Sequence, residues 1–341
     1  MKLTNAKYYV VPLVLCVLSV IGMTYYYFFT GFSVQKATAF LYVDNDDTAD
    51  SVFVKLDSIG SRHAMTGLRT LVRHSDYADH LKTGRYAIDP DVSTYQLFGL
   101  LKGGRQTPMM LTIPETRTIS RMAALLGRKL MADSADLADE WLDANSLEKM
   151  EADTATLPCL FIPNTYEVYW NISPSKLMER MKKEHDAFWN KERRDKAARL
   201  GLTPNEVTIL ASIVDEETAN VAEKNMVAGL YLNRLRKPML LQADPTVKFA
   251  VGDFTLRRIL SKHLSVDNPY NTYRHMGLPP GPIKVASVAG IDAVLNATQH
   301  NYLYMCAKED FSGTHNFAAT IQEHMQNARR YQKALNERNI R

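Results

Sequence analysis

From Tyr8 to Phe29 the chain runs about 22 residues without a charge. A helix of that length crosses the hydrocarbon core of a bilayer, with its backbone groups satisfied internally. Tyr8 and Tyr9 stand at one end and Tyr25, Tyr26 and Tyr27 at the other, where an aromatic belt belongs. Lys2 and Lys7 precede the run, whereas only Lys36 lies close beyond it, followed by Asp44, Asp46, Asp47 and Asp50. The positive-inside rule then makes residues 1–7 a cytoplasmic tail and 8–29 a single-pass anchor, with the body outside; the expected location is an inner membrane, with the body periplasmic. A cleaved signal would need a shorter core and a small-x-small site, and no convincing one is present. A lipoprotein signal would need a small residue before its cysteine, and Leu15 precedes Cys16.

The chain's 341 residues suit this anchor plus two folded units. The composition, 46% hydrophobic and 23% charged, is that of a packed protein. A net charge of +4 with no long Lys/Arg run gives no footprint for nucleic acid. Cys159 and Cys306 either pair or stay as two separate buried thiols, and sequence leaves both open.

Residues 37–113 alternate short strands and helices. Ala39–Val43 and Arg85–Ile88 read as strands, and Asp50–Ile59 and Gly67–Val72 as short helices. Ser93 and Gln96 form a capping box for a helix that stops at Gly103-Gly104, and Met109–Ile113 reads as a further strand. No residue here suggests chemistry, so a glycan-binding module and a spacer or lid both remain open. Ile119–Leu130 and Asp136–Leu147 read as amphipathic helices. Phe161–Tyr166 reads as a turn, and Lys176–Leu200 as one long charged helix with a solvated face.

The most informative segment begins at Thr203-Pro204-Asn205-Glu206, a capping box with Pro at the first helical position. The helix that follows, Val207 to about Thr218, carries an apolar stripe at Leu210, Ile213 and Val214. The next stripe position is Glu217, whereas Asp215 and Glu216 point elsewhere. Burial and the negative end of the helix dipole both favour the protonated form of such a carboxyl, as a general acid requires. A slightly rotated helix would instead leave Glu217 as a solvated last-turn residue.

Asn220 and Glu223 then cap a helix running to about Arg236, with Met226, Val227, Leu230 and Tyr231 on its buried face. Asn233 and Arg234 near its end suit a polar site or simple capping. Asp244 reads as an N-cap with Pro245 as first helical residue, a structural role that leaves Gln242 unexplained. Asn268–Tyr273 and Gly277–Ile283 are shaped Pro/Gly segments whose Tyr and Asn side chains suit sugars. Tyr302–Tyr304 reads as a strand, Gly313–Phe317 as a turn and Thr320–Asn339 as a helix. His300, His315 and His324 match no zinc spacing, and HExxH, GxSxG and phosphate-binding glycine loops are absent.

Ala211-Ser212-Ile213-Val214-Asp215-Glu216-Glu217-Thr218 resembles the catalytic segment of the YceG-like (MltG) endolytic murein transglycosylases. The resemblance continues through Asn233-Arg234-Leu235, Gln242–Val247, Tyr270–Tyr273, Gly277–Ile283 and Gly313–Phe317. Gly84–Tyr86 through Ile113–Glu115 resembles the family's LysM-like module. The chain departs from the pattern at Pro158-Cys159, at Asn164 in place of Asp, and at Thr116 in place of Gly.

The resemblance implies an α+β chain with an N-terminal transmembrane helix. A LysM-like α/β module at 37–113 and a mainly helical, lysozyme-like catalytic domain at 114–341 follow. It implies cleavage of the MurNAc-β-1,4-GlcNAc bond of nascent peptidoglycan strands, with Glu217 as acid and base and no metal or cofactor. Gln242, Asp244, Thr246, Asn271, Tyr273 and Tyr166 are the expected substrate contacts, and wall synthases the expected neighbours. The alternatives are a muramidase-type hydrolase, which needs a second carboxylate such as Asp244, and a non-catalytic wall-binding scaffold.

Overall fold

The uncharged run forms one helix, α1 (Leu3–Phe28), of which Tyr8–Phe28 is long and apolar enough to cross a membrane. The computed structural model describes residues 3–256 and 258–338. Met1 and Lys2 of the expected tail, and Asn339 at the end of the expected last helix, lie outside the described residues. Chain contacts divide the protein into two compact units. One runs through Leu111 and takes in Lys129–Met131 and Glu167–Ile172. The other comprises Thr112–Arg128, Ala132–Tyr166 and the residues from Ser173 onward. Both mix helices with small sheets.

In the first unit, β1 (Ala39–Val43) precedes α2 (Ala49–Leu56) and α3 (Arg62–Arg73). Then come β2 (Gly84–Ile88) and α4 (Thr94–Gly103). β1 and β2 pair antiparallel, with Leu41 opposite Tyr86. Their alternation turns Leu41, Val43, Tyr86 and Ile88 onto Val52, Leu56, Leu68 and Leu97 to make one core. The capping box expected at Ser93 and Gln96 forms on both sides, and Gly104 ends α4 in the left-handed region (φ 65°). Gly67 lets α3 approach α1, because a Cβ there would stand 2.3 Å from the Tyr27 carbonyl oxygen. β3 (Met109–Thr112) leads out of this unit.

The second unit opens with α5 (Ile119–Leu126), α6 (Ser134–Leu142) and α7 (Ala144–Lys149). The helix expected over Asp136–Leu147 is two, because Asp143 stops the first in an extended conformation and caps the second. β4 (Thr165–Val168) grows from the turn at Phe161. The long charged stretch likewise splits into α8 (Pro174–Phe188) and α9 (Lys191–Leu200). Trp189 is buried at the break, and the Asn190 side chain accepts from Arg193 N to start α9.

α10 (Pro204–Glu217) is the spine of this unit, and every residue from Val207 to Val214 is buried. α11 (Lys224–Arg236), α12 (Asp244–Val251), α13 (Ser261–Leu264) and α14 (Val288–Leu295) follow. Side chains of α10, α11 and α14 share one core around Leu210, Val214, Val227, Leu230, Ile291 and Val294. The last elements are β5 (Tyr304–Ala307), β6 (His315–Ala318) and α15 (Ile321–Glu337). The segment expected as a turn, Gly313–Phe317, is largely β6. It pairs antiparallel with β5, which itself starts two residues later than the expected strand at Tyr302. Cys159 is buried and Cys306 partly exposed, and both are free thiols.

Candidate active site

The capping box at the start of α10 forms as its sequence requires. Thr203 accepts from Glu206 N while Glu206 Oε2 takes Thr203 N, and Pro204 fills the first turn. At the other end three consecutive acids meet three different fates. Asp215 is buried against Lys224 Nζ and accepts from Ser287 N (2.7 Å) and Ser287 Oγ (2.8 Å). It thereby clamps α10 to α14, so tightly that a Cβ on Gly290 would stand 2.5 Å from its Oδ1. Glu216 pairs with Arg117 at 2.5 Å and with Lys284 at 3.8 Å. Glu217, the last residue of α10, turns into a pocket of about 230 Å³.

Tyr231 of α11 donates its hydroxyl to Glu217 Oε1 at 2.8 Å. Burial dominates the electrostatics of this carboxyl and pushes its pKa up to about 7. The Tyr231 hydrogen bond pulls it back, the Asp244 carboxylate raises it further, and His315 and Arg234 lower it. Burial also raises the Tyr231 hydroxyl well above its ordinary range, so this hydroxyl stays a donor. A carboxyl poised near neutrality can give a proton in one step and take one in the next.

The other walls of the pocket rest on buried polar contacts. Arg234 of α11 donates from Nε to Leu303 O (2.6 Å) and from Nη1 to Leu241 O (2.7 Å), tying two walls together. Asn233 donates to His300 O and Tyr302 O, and so holds the chain ahead of β5. Gln242 lines the pocket with a left-handed backbone (φ 52°), a strained conformation of the kind that collects at functional sites. Asp244 was expected as an N-cap, but its side chain caps nothing. α12 starts on it, and its Oδ1 instead accepts from Tyr273 Oη at 2.7 Å. Burial and this bond raise the Tyr273 hydroxyl strongly. Met305, Cys306 and Ala307 of β5 and His315 of β6 complete the lining.

Glu217, Gln242, Asp244 and Tyr273 are therefore brought together, and three other expected contacts are not. Asn271 is fully buried, donating to Leu264 O and Val266 O and accepting from Tyr273 N. Thr246 Oγ1 donates to Ala243 O at 2.7 Å and lies 2.8 Å from Thr272 Oγ1. These two side chains build the loop that presents Gln242 and Tyr273. Tyr166 donates to Ile162 O at 2.8 Å and does not line the pocket. Sequence reasoning placed Tyr231 in the core and tested His315 only for zinc spacing, although both line the pocket. Their signal is tertiary: Tyr231 lies one turn before Arg234 on the face toward Glu217, and His315 opens a strand that was read as a turn. Among the described residues no group of three or more His, Cys, Asp and Glu is arranged to hold a metal ion.

An endolytic murein transglycosylase of Bacillus subtilis is 40% identical over 129 residues, covering 38% of this chain and 35% of that protein. One from Streptococcus pneumoniae is 28% identical over 268 residues, covering 69% of this chain and 48% of that protein. The chain thus spans about half or less of the length of the curated relatives it matches. A crystal structure of a YceG-like protein from Listeria monocytogenes superposes with a TM-score of 0.57 at 26% identity, covering 86% of this chain and 99% of that one. The profile of the YceG-like family matches residues 41–330, a span that takes in every wall of the pocket. The chain belongs to the YceG-like family.

Proposed function

We propose that this protein is a membrane-anchored endolytic transglycosylase of peptidoglycan. It cleaves the β-1,4 bond between N-acetylmuramic acid and N-acetylglucosamine in nascent strands, leaves 1,6-anhydro ends, and so terminates or trims chain elongation. The observation that carries this reading is Glu217, a carboxyl at the end of a buried helix whose pKa is pushed up to about 7 by burial. Its similarity to the endolytic murein transglycosylases of Bacillus subtilis and Streptococcus pneumoniae supports it.

In the reaction, protonated Glu217 gives its proton to the leaving glycosidic oxygen. The C6 hydroxyl of the muramic acid attacks its own anomeric carbon and gives its proton to the Glu217 carboxylate just formed. Because that nucleophile is already tethered, proximity replaces an activated water, and one carboxylate serves where ordinary glycosidases use two. Gln242, Asp244 and Tyr273 are the substrate contacts, and Arg234 holds the walls that carry them. Tyr8–Phe28 anchors the chain in the inner membrane with the body outside, beside the wall synthases whose strands it cuts. Residues 37–113 serve as a LysM-like module and 114–341 as a lysozyme-like catalytic domain.

Mass spectrometry of products from uncrosslinked glycan strands tests this. The full chain in detergent gives anhydro-ended fragments, and Glu217→Gln gives none. Asp244 lines the same pocket and so supports a second reading, a muramidase-type hydrolase. Reducing-end products that vanish in Asp244→Asn would establish that reading instead.

A further inference from the structure

The proposed reaction uses Glu217 for both proton transfers, yet the pocket holds a second proton-handling group. Glu223, at the end of a one-turn 3-10 helix, Val221–Glu223, is only 8% exposed. Its carboxylate takes three donors: Thr218 Oγ1 to Oε2 at 3.1 Å, His315 N to Oε1 at 2.7 Å, and His315 Nδ1 to Oε2 at 2.9 Å. A carboxylate only accepts, so Nδ1 carries the hydrogen and, in the neutral ring, Nε2 carries the lone pair. Among the described residues Nε2 has no protein partner, and His315 lines the pocket into which Glu217 turns. Thr218 directly follows Glu217, so one buried carboxylate fixes the imidazole relative to the acid.

We propose that His315, oriented by Glu223, is a catalytic base that accepts the proton of the attacking hydroxyl while Glu217 protonates the leaving oxygen. This inference rests on the transglycosylase reading above. The Glu217 O–H bond breaks, an O–H bond forms on the leaving oxygen of the glucosamine, and the anomeric carbon loses that oxygen. The same carbon gains a bond to O6, whose proton passes to Nε2. The products are a Glu217 carboxylate and a His315 imidazolium in one pocket, and the proton returns from the second to the first to close the cycle. Glu223 stabilises the imidazolium while it lasts, as a carboxylate behind an imidazole does in hydrolytic triads. Neither group has to serve two oxygens in sequence.

A purely structural role for His315, stapling β6 to the end of α10, uses Nδ1 and the backbone N–H and leaves Nε2 idle. His315→Asn separates the two roles, because its amide N–H reproduces the Nδ1 donor and removes Nε2. The experiment uses the full chain in detergent on uncrosslinked glycan strands, with anhydro ends counted by mass spectrometry. Wild type against Glu217→Gln first tests the underlying reading by itself. His315→Asn is then expected to lower kcat by about 10²–10⁴-fold with KM within about threefold. Free imidazole is expected to restore His315→Ala by about tenfold or more. An Asn variant within about threefold of wild type in kcat overturns the proposal, as does a loss confined to KM. Should the Asn variant lack a melting transition, the imidazole arm decides: absence of rescue overturns the proposal and rescue upholds it.

Discussion

Replacing Glu217 by Gln should make the fold harder to unfold above neutral pH while abolishing cleavage. Burial lifts the carboxyl from about 4.5 to about 7 in the folded protein. Between those two values the folded state holds a proton that the unfolded chain has released, so stability falls as pH rises through the window. A shift of this size corresponds to about 3 kcal/mol once the carboxyl is fully ionised. Gln is neutral throughout and keeps an oxygen to accept from Tyr231, so it does not carry this penalty. The advantage of the variant over wild type should therefore grow by about 3 kcal/mol between pH 4.5 and pH 8. In melting temperature that is roughly 6–12 °C for a unit of this size. Paired melts of both proteins in detergent across that range measure it. An advantage that stays flat with pH, or that shrinks as pH rises, would refute the account of Glu217 as a carboxyl held neutral by burial.

Further outcomes follow from the same geometry. Cleavage by the wild type should fall about tenfold per pH unit above about 7, as the protonated acid is titrated away, and product counts against pH check this. Asp215→Ala should cost about 3–5 kcal/mol in urea unfolding, because it strands the buried Lys224 charge. Replacing both partners by apolar residues of similar size should recover most of that loss. Gln242→Gly should raise stability by up to about 1 kcal/mol by relieving the left-handed backbone, and should slow cleavage by removing a pocket side chain.

Much of the site was legible where helical periodicity governs. Glu217 follows Leu210, Ile213 and Val214 on one stripe, and that alone separated it from its two acidic neighbours. The same logic set Asp215 aside from the core, yet it is buried, because α10 is surrounded by protein and Lys224 arrives from the next helix to meet it. Neither fact is local. The polar loops show the same limit. Asn271 and Tyr273 are two residues apart in one motif, but the first is consumed by carbonyls of its own loop and the second reaches Asp244. Sequence named the residue types a sugar site needs, and only the fold decided which of them face it. The split of α8 from α9 had a visible signal in Asn190, but the charge periodicity on either side hid it.

The burial of α10 also fixes how the pocket moves. Amide hydrogens from Val207 to Val214 lie where only global unfolding exposes them to exchange, so the acid sits on the last element to open. The facing wall is different: β5 is partly exposed along its whole length, as is β6 up to Phe317, and among the described residues the two strands pair only with each other. That hairpin opens more readily than α10, but Glu223 staples His315 to the end of α10, so the pocket breathes along β5 while His315 and the carboxyl that it faces stay in place. A polymer that must be admitted along its length, rather than at an end, is served by such a division between a fixed acid and a yielding wall.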